Sequence, residues 1–66
     1  KTMQIPWEDA VGRIAGEMVA PYPPGIPILY AGERITREVW EYLEQFRRDG
    51  RHMHGAENGR ITVIAE

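Results

Sequence analysis

A proline-rich stretch, residues 20–33, constrains this chain more than any other part of its sequence. Four of the five prolines and two of the seven glycines lie within it. Each proline fixes its own φ and lacks a backbone N–H, and the residue before it is pushed towards extended backbone. Most of residues 20–27 therefore cannot be helical, and the segment is stiff even in the unfolded chain. A short apolar run and the turn Ala31-Gly32 follow, so the sequence predicts a rigid segment that holds the acid Glu33.

Length and composition limit what such a chain can do. Its 66 residues make a single small domain, which buries only about 60% of its unfolded surface and is expected to need a partner for stability. The absence of cysteine excludes disulfides and thiolate zinc sites. A net charge of −2 with interspersed signs argues against nucleic-acid binding.

No apolar run reaches the length of a membrane span and no signal peptide is visible, so we expect no membrane partner and a cytoplasmic location. Because the chain begins at Lys1, we also expect a fragment or a processed piece.

Hydrophobic spacing predicts an α+β fold with two helices, the rigid proline-rich segment and a small sheet of two or three strands. Apolar residues at three- and four-residue intervals predict a first helix over residues 6–19, in which Gly12 and Gly16 favour close backbone packing. A second helix is predicted over residues 37–48, capped by Thr36 and Gly50.

Strands are expected at residues 28–30 and at the β-branched run of residues 61–64, with a brief one near residues 3–5. We favour a parallel pairing of the strand at residues 28–30 with the strand at residues 61–64 through a right-handed crossover. Separate or antiparallel strands are the alternatives.

Glu33 is the candidate site residue. It is interpreted either as a solvated turn acid, alone or paired with Arg34 or Arg37, or as a positioned carboxylate that recognises a cation. His52 and His54 are too few for a closed zinc site, so no metal site is predicted and they are assigned to a polar surface loop. There is no serine, no nucleophile–base set and no glycine-rich phosphate loop after a strand.

The run Pro-Tyr-Pro-Pro-Gly-Ile-Pro of residues 21–27, followed by an apolar triplet and Gly32-Glu33, is a specific pattern. Over about residues 10–35 it resembles the C-terminal domain of bacterial ornithine/lysine/arginine decarboxylases, which depend on pyridoxal phosphate (PLP) and belong to the aspartate-aminotransferase-like class. The tail, with Gly55, Gly59 and the run Ile-Thr-Val, fits the shorter members. Ala31 is a departure, since the family usually has proline there.

The resemblance implies a small α+β domain docked on a much larger PLP-binding domain of the same polypeptide, in a homo-oligomer. By that match Glu33 lies near the active-site entrance and contacts the distal amine or guanidinium of the substrate. A structural or interface role is implied for the residues around it, Pro21, Tyr22, Pro23, Pro24, Gly25, Pro27 and Gly32.

PLP catalysis needs a lysine that forms a Schiff base, and Lys1 is the only lysine of this chain. We therefore expect the chain alone to bind no PLP and to catalyse nothing, while the parent is a PLP-dependent lyase of polyamine biosynthesis. Its substrate is left open among arginine, lysine and ornithine. The alternative is a free-standing interaction or oligomerisation module.

Overall fold

The computed structural model describes residues 1–22 and 25–66, so the two predicted interface residues Pro23 and Pro24 lie outside the described residues. Its elements in chain order are β1 (Thr2–Pro6), a 3-10 turn (Trp7–Asp9), β2 (Ala20–Pro21), α1 (Arg37–Arg48), β3 (Met53–His54), a second 3-10 turn (Glu57–Gly59) and β4 (Arg60–Ile64). These described ranges hold one α-helix and two antiparallel sheets of two strands each, β1 with β4 and β2 with β3. The broad α+β prediction agrees with this arrangement, but the prediction of two helices is wrong.

The larger sheet joins the two ends of the chain. β1 runs antiparallel to β4, with Thr2 opposite Ile64. Side chains alternate along β4, so Ile61 and Val63 are fully buried whereas Thr62 and Ile64 are partly exposed. This alternation is the two-residue period of a strand with one face on the core, and it follows the prediction for this run.

An irregular hairpin packs beside this sheet. Of the proline-rich stretch, the described residues 20–22 and 25–27 lie between the two arms of this hairpin. Residues 12–19 and residues 28–35 are its two arms, and Ala15 N–H donates to the Glu33 carbonyl at 2.8 Å. The first arm also bonds to β4, where Gly16 N–H donates to the Thr62 carbonyl at 2.8 Å. The loop and its second arm are therefore attached to the larger sheet through the first arm.

The predicted first helix is replaced by this first arm. Only Trp7–Asp9 is helical, and Gly12 then adopts φ +90°, a value that a continuing helix does not allow. The Gly12 N–H donates to the Ile35 carbonyl at 2.8 Å, so cross-strand bonds take the place of helical ones. Two interior glycines cost a helix roughly 1 kcal/mol each relative to alanine. The prediction of close packing is confirmed at Gly16, where a Cβ would lie 3.1 Å from the Val63 carbonyl carbon, but it is wrong at Gly12, where a Cβ would meet no atom of another segment within 4 Å.

The parallel sheet is also a wrong prediction. The expected strand at residues 28–30 is reduced to one antiparallel bridge between Leu29 and Val19. Its expected partner, β4, pairs antiparallel with β1 instead. The existence of strands near both chain ends is confirmed.

Helix α1 begins and ends at the predicted residues. Thr36 Oγ1 accepts the Val39 N–H at 3.2 Å, which satisfies one free donor of the first turn. At the other end Gly50 has φ +72°, and Arg51 N–H returns to the Phe46 carbonyl at 3.1 Å. This is the bonding of a Schellman motif, in which glycine accepts the left-handed backbone.

The core lies where α1 covers the sheet and the hairpin. Its largest fully buried side chains are Trp7, Val19, Leu29, Ile35, Leu43, Ile61 and Val63. Within the described ranges, every buried side-chain nitrogen or oxygen atom has a hydrogen-bond partner. A search of the same ranges finds no helix with the length and apolar character needed to cross a membrane.

Candidate functional site

A β-turn at residues 30–33 positions the candidate acid. The Glu33 N–H donates to the Tyr30 carbonyl at 3.1 Å, and Gly32 at the third position has φ +93°. A positive φ at this position is the mark of a type II turn, which favours glycine there. The Glu33 side chain folds back on the same turn, and its Oε1 accepts the Tyr30 N–H at 3.0 Å. One carboxylate oxygen is thus fixed by the backbone of its own turn.

The opposite hairpin arm holds this turn in place. Gly32 N–H donates to the Ala15 carbonyl at 2.8 Å, and Ala15 N–H donates to the Glu33 carbonyl at 2.8 Å. Ala15 is itself fully buried and forms a bridge with Val63 of β4. Ala15 therefore connects the backbone that carries Glu33 with the larger sheet.

Arg34 and Arg37, which follow Glu33 in the sequence, lie near other acids. The Arg34 guanidinium lies 3.6 Å from the Glu66 carboxylate, and Arg37 lies 3.9 Å from Glu41. Across residues 1–22 and 25–66, Glu33 has no ion-pair partner within 4.0 Å. The alternative in which Glu33 pairs with Arg34 or Arg37 is therefore wrong. The carboxylate is exposed and, within the same ranges, forms no ion pair.

The first predicted interface residues have structural partners. Pro21 is buried and pairs with Met53 in the small sheet. Tyr22 is exposed, and its N–H donates to the His52 carbonyl at 2.8 Å while the two rings lie 5.7 Å apart. Gly25 has φ +80°, and a Cβ there would lie 2.7 Å from the Tyr22 ring. The start of the loop therefore requires glycine for both its backbone conformation and its space.

Beyond this point the hairpin exposes apolar side chains. Pro27 is partly buried, whereas Ile26 is 60% exposed. The other large apolar side chains that the hairpin exposes are Met18, Tyr22 and Tyr30. Four of the six large apolar side chains exposed in the described ranges therefore belong to the hairpin, whereas Met3 and Tyr42 lie elsewhere.

A second carboxylate, Glu44 of α1, has a purely structural arrangement. Its Oε1 accepts the Trp7 indole N–H at 2.7 Å and its Oε2 accepts from Arg48, four residues further along α1, at 3.0 Å. Arg47 adds a third contact at 3.1 Å. Burial alone raises the pKa of Glu44, but the hydrogen bonds from Arg48 and Trp7 and the charge of Arg47 outweigh it and leave that pKa lowered. The contact with Trp7 had no signal in the sequence.

His52 borders an open groove of about 500 Å³, which Arg47, Arg51, Glu57 and Asn58 also line, whereas His54 is not among its lining residues. His52 and His54 are both exposed. In the part of the chain that the structure describes, no three histidine, aspartate or glutamate side chains are placed to hold a metal ion. The groove therefore offers polar surface rather than a metal centre.

Comparison with known proteins identifies the family. The family model described as "Orn/Lys/Arg decarboxylase, C-terminal domain" matches residues 1–61. This chain belongs to that family. The family resemblance predicted from the proline-rich run is thereby confirmed.

Curated relatives of this decarboxylase domain are much longer than the chain. Arginine decarboxylase of Halalkalibacterium halodurans is 43% identical over 64 residues, which cover 97% of this chain and 13% of that protein. Inducible lysine decarboxylase of Escherichia coli is 41% identical over an alignment of 75 positions, which covers 94% of this chain and 10% of that protein. The domain therefore spans about a tenth of the length of these relatives.

Solved structures show the same fold. The constitutive lysine decarboxylase of Escherichia coli matches with a TM-score of 0.80 and 33% identity over 97% of this chain and 11% of that one. The lysine decarboxylase of Francisella novicida matches with a TM-score of 0.82 and 30% identity over 98% of this chain and 11% of that one. The decarboxylase domain thus corresponds to a small part of a larger enzyme in both comparisons.

Proposed function

We propose that this chain is the C-terminal domain of a PLP-dependent basic amino-acid decarboxylase and that it presents Glu33 at the entrance of the active site. The observation that carries the proposal is the state of Glu33, which is exposed, fixed to its own turn and without an ion-pair partner among the described residues. A carboxylate in this state is prepared to accept a charge-assisted hydrogen bond from a cation. Membership of the decarboxylase family supports the basic side chain of the substrate as that cation.

The residues of this chain do not fit PLP. The cofactor forms a Schiff base with a lysine, and Lys1 is the only lysine in the sequence. Lys1 is exposed, and its carbonyl accepts the Ala65 N–H at 2.9 Å beside the end of the larger sheet. We therefore assign the cofactor and the catalytic groups to the rest of the polypeptide, and to this domain the recognition of the distal end of the substrate.

The hairpin is proposed to dock on the PLP-binding domain. Its exposed Ile26 and Tyr22 provide apolar contact area, and the proline content of the sequence restricts the unfolded chain, which lowers the entropy cost of docking. Because about nine-tenths of the relatives' length lies outside the matched domain, such a surface has a partner of sufficient size within one polypeptide. The proposed interface thus includes the residues that brace the Glu33 turn.

The substrate is proposed to be arginine, lysine or ornithine, since one carboxylate recognises the cation of any of them. Loss of the carboxylate of lysine or ornithine as CO₂ leaves a diamine, which supports a place for the parent enzyme in polyamine biosynthesis. A homo-oligomer and a cytoplasmic location stay predictions.

The test is Glu33→Gln in the complete polypeptide that contains this chain. Glutamine keeps an acceptor for the Tyr30 N–H but removes the charge, so we expect KM for the basic amino acid to rise by about 10-fold or more with an unchanged melting temperature. The matched control is Glu41→Gln, an exposed acid on α1 that we expect to have no effect. An unchanged kcat/KM in Glu33→Gln contradicts the proposed role.

A free-standing interaction module is the second candidate, favoured by the same exposed apolar side chains of the hairpin. Reading the gene upstream of Lys1 separates the two candidates. Several hundred further codons with a PLP-site lysine support the decarboxylase domain. A start codon directly before Lys1 supports the free module.

A further inference from the structure

We infer that Tyr30 is a second recognition residue of the Glu33 site and that its ring contacts the same substrate cation. The inference rests on the proposed function of Glu33 and adds an aromatic group to it. The recognised chemistry is an alkylammonium or guanidinium held between a carboxylate and the face of a phenol ring.

The two residues are the first and the last of one β-turn. Their α carbons therefore lie within about 7 Å of one another. Two hydrogen bonds join them directly, from Glu33 N–H to the Tyr30 carbonyl at 3.1 Å and from Tyr30 N–H to Glu33 Oε1 at 3.0 Å. Any pocket that receives the Glu33 carboxylate must also receive the backbone of Tyr30.

The Tyr30 side chain is half exposed. It is 52% exposed, and within residues 1–22 and 25–66 its ring forms no contact with another aromatic ring and its hydroxyl forms no hydrogen bond. The other two tyrosines differ, because Tyr22 lies 5.7 Å from the His52 ring and Tyr42 meets the Phe46 ring edge-on at 5.2 Å. A half-exposed aromatic ring carried on the same turn as an exposed acid can contribute to the binding of an organic cation.

The chemistry of the two groups is complementary. One Glu33 oxygen is already bonded to the Tyr30 N–H, so the other offers a single strong contact to the cation. An aromatic face adds attraction to the same charge without competing for its hydrogen-bond donors. Tyr30 is thus expected to raise affinity for charged substrates and to leave the affinity for neutral analogues unchanged.

The experiment compares Tyr30→Leu and Tyr30→Phe in the complete polypeptide. Tyr30→Leu should raise KM for the basic amino acid by about 3- to 10-fold, with kcat changed by less than about 2-fold, because the contact is with the unreacting end of the substrate. Tyr30→Phe keeps the ring and should stay within about 2-fold of the wild type. The matched control is Tyr42→Leu, an equally exposed tyrosine on α1 that should leave KM unchanged.

Inhibition by norleucine, which has the apolar chain of lysine without its ammonium group, tests whether the ring acts on the charge. We expect Tyr30→Leu to leave the inhibition constant for norleucine unchanged. If norleucine binding weakens as much as substrate binding, the ring acts by packing and the inference is overturned.

The two proposals fail in different ways. If Glu33→Gln raises KM while Tyr30→Leu does not, the inference about Tyr30 falls and the proposed function stands. If Glu33→Gln has no effect on KM, the proposed function falls, and the inference falls with it.

Discussion

The indole N–H of Trp7 donates to Oε1 of Glu44 at 2.7 Å across 37 residues of sequence. Trp7 also stacks on Trp40, with ring centroids 5.4 Å apart and planes 15° from parallel. The Trp40 indole N–H donates in turn to the Trp7 carbonyl at 2.9 Å. These contacts attach the segment that follows β1 to one face of α1 and position the helix over the core.

Glu44→Gln should destabilise the fold at neutral pH by about 1 kcal/mol, because the charge that Trp7, Arg47 and Arg48 surround is removed. The folded-state pKa of Glu44 lies below its ordinary value of 4.5. A carboxylate whose pKa is lower in the folded than in the unfolded state stabilises the fold at pH values above its unfolded-state pKa. This stabilisation is lost as the pH falls through the folded-state pKa. The difference in unfolding free energy between wild type and Glu44→Gln should therefore be constant near pH 7 and shrink below pH 4.5.

Urea unfolding at a series of pH values measures this difference. Glu41→Gln is the control, because the side chain of Glu41 is 63% exposed and its contact with Arg37 is long. If the difference in unfolding free energy between wild type and Glu44→Gln stays constant down to pH values well below 4.5, the lowered pKa of Glu44 is contradicted.

Gly55→Ala should be among the most damaging substitutions in the chain. Gly55 is buried with φ +85°, and a Cβ there would collide with the Met18 carbonyl oxygen. Backbone strain and overpacking together should cost about 2–5 kcal/mol. Gly50→Ala, with φ +72° and no atom within 4 Å of its Cβ position, isolates the strain and should cost only about 1–2 kcal/mol. Thermal unfolding of both variants checks the order, and equal losses would contradict the collision.

Ala31→Pro should stabilise the Glu33 turn. Ala31 is the second residue of a type II turn, where proline is favoured, and in the described ranges its N–H donates no backbone hydrogen bond. Proline restricts the unfolded chain at such a site and adds about 0.4–1 kcal/mol of stability. We expect a higher melting temperature by calorimetry. A lower one would show that the backbone at Ala31 does not accept the proline ring.

Glu17→Ala should destabilise the chain by about 1–3 kcal/mol through the loss of an acceptor. Glu17 Oε2 accepts the Thr62 N–H of β4 at 2.8 Å and the Ala56 N–H at 3.4 Å. Ala56 has φ +51°, so the carboxylate supports a turn with unfavourable backbone. Glu17→Gln retains an acceptor and is expected to lose less stability in denaturant titration. Equal losses for the two variants would argue against the hydrogen bonds.

Local signals account for what the sequence predicted well. Helix α1 is correct to the residue because its N-cap Thr36, its apolar face and its terminal Gly50 all lie within the helix or next to it. The first predicted helix failed because a three- and four-residue spacing also arises by chance in an irregular arm. There Gly12 turns the chain, and Ala15 and Val19 take partners in other segments.

The same distinction between local sequence signals and long-range contacts applies to the candidate site. The turn that holds Glu33 was visible as Gly-Glu after a stiff apolar segment. The partners of Arg34 were not visible, because Glu66 and the Gly12 carbonyl reach it only through the fold. The bond from Trp7 to Glu44 was hidden for the same reason, since no rule of spacing connects residues so far apart.

The pairing of β1 with β4 brings together positions far apart in the sequence, since Thr2 lies opposite Ile64. The first hairpin arm bonds to Thr62 and Val63 of β4, and the arm that carries the Glu33 turn is attached to the sheet through it. Contacts between such distant positions slow folding, because the intervening chain loses its freedom before they form. We therefore expect the turn that carries Glu33 to become ordered only once the larger sheet has formed.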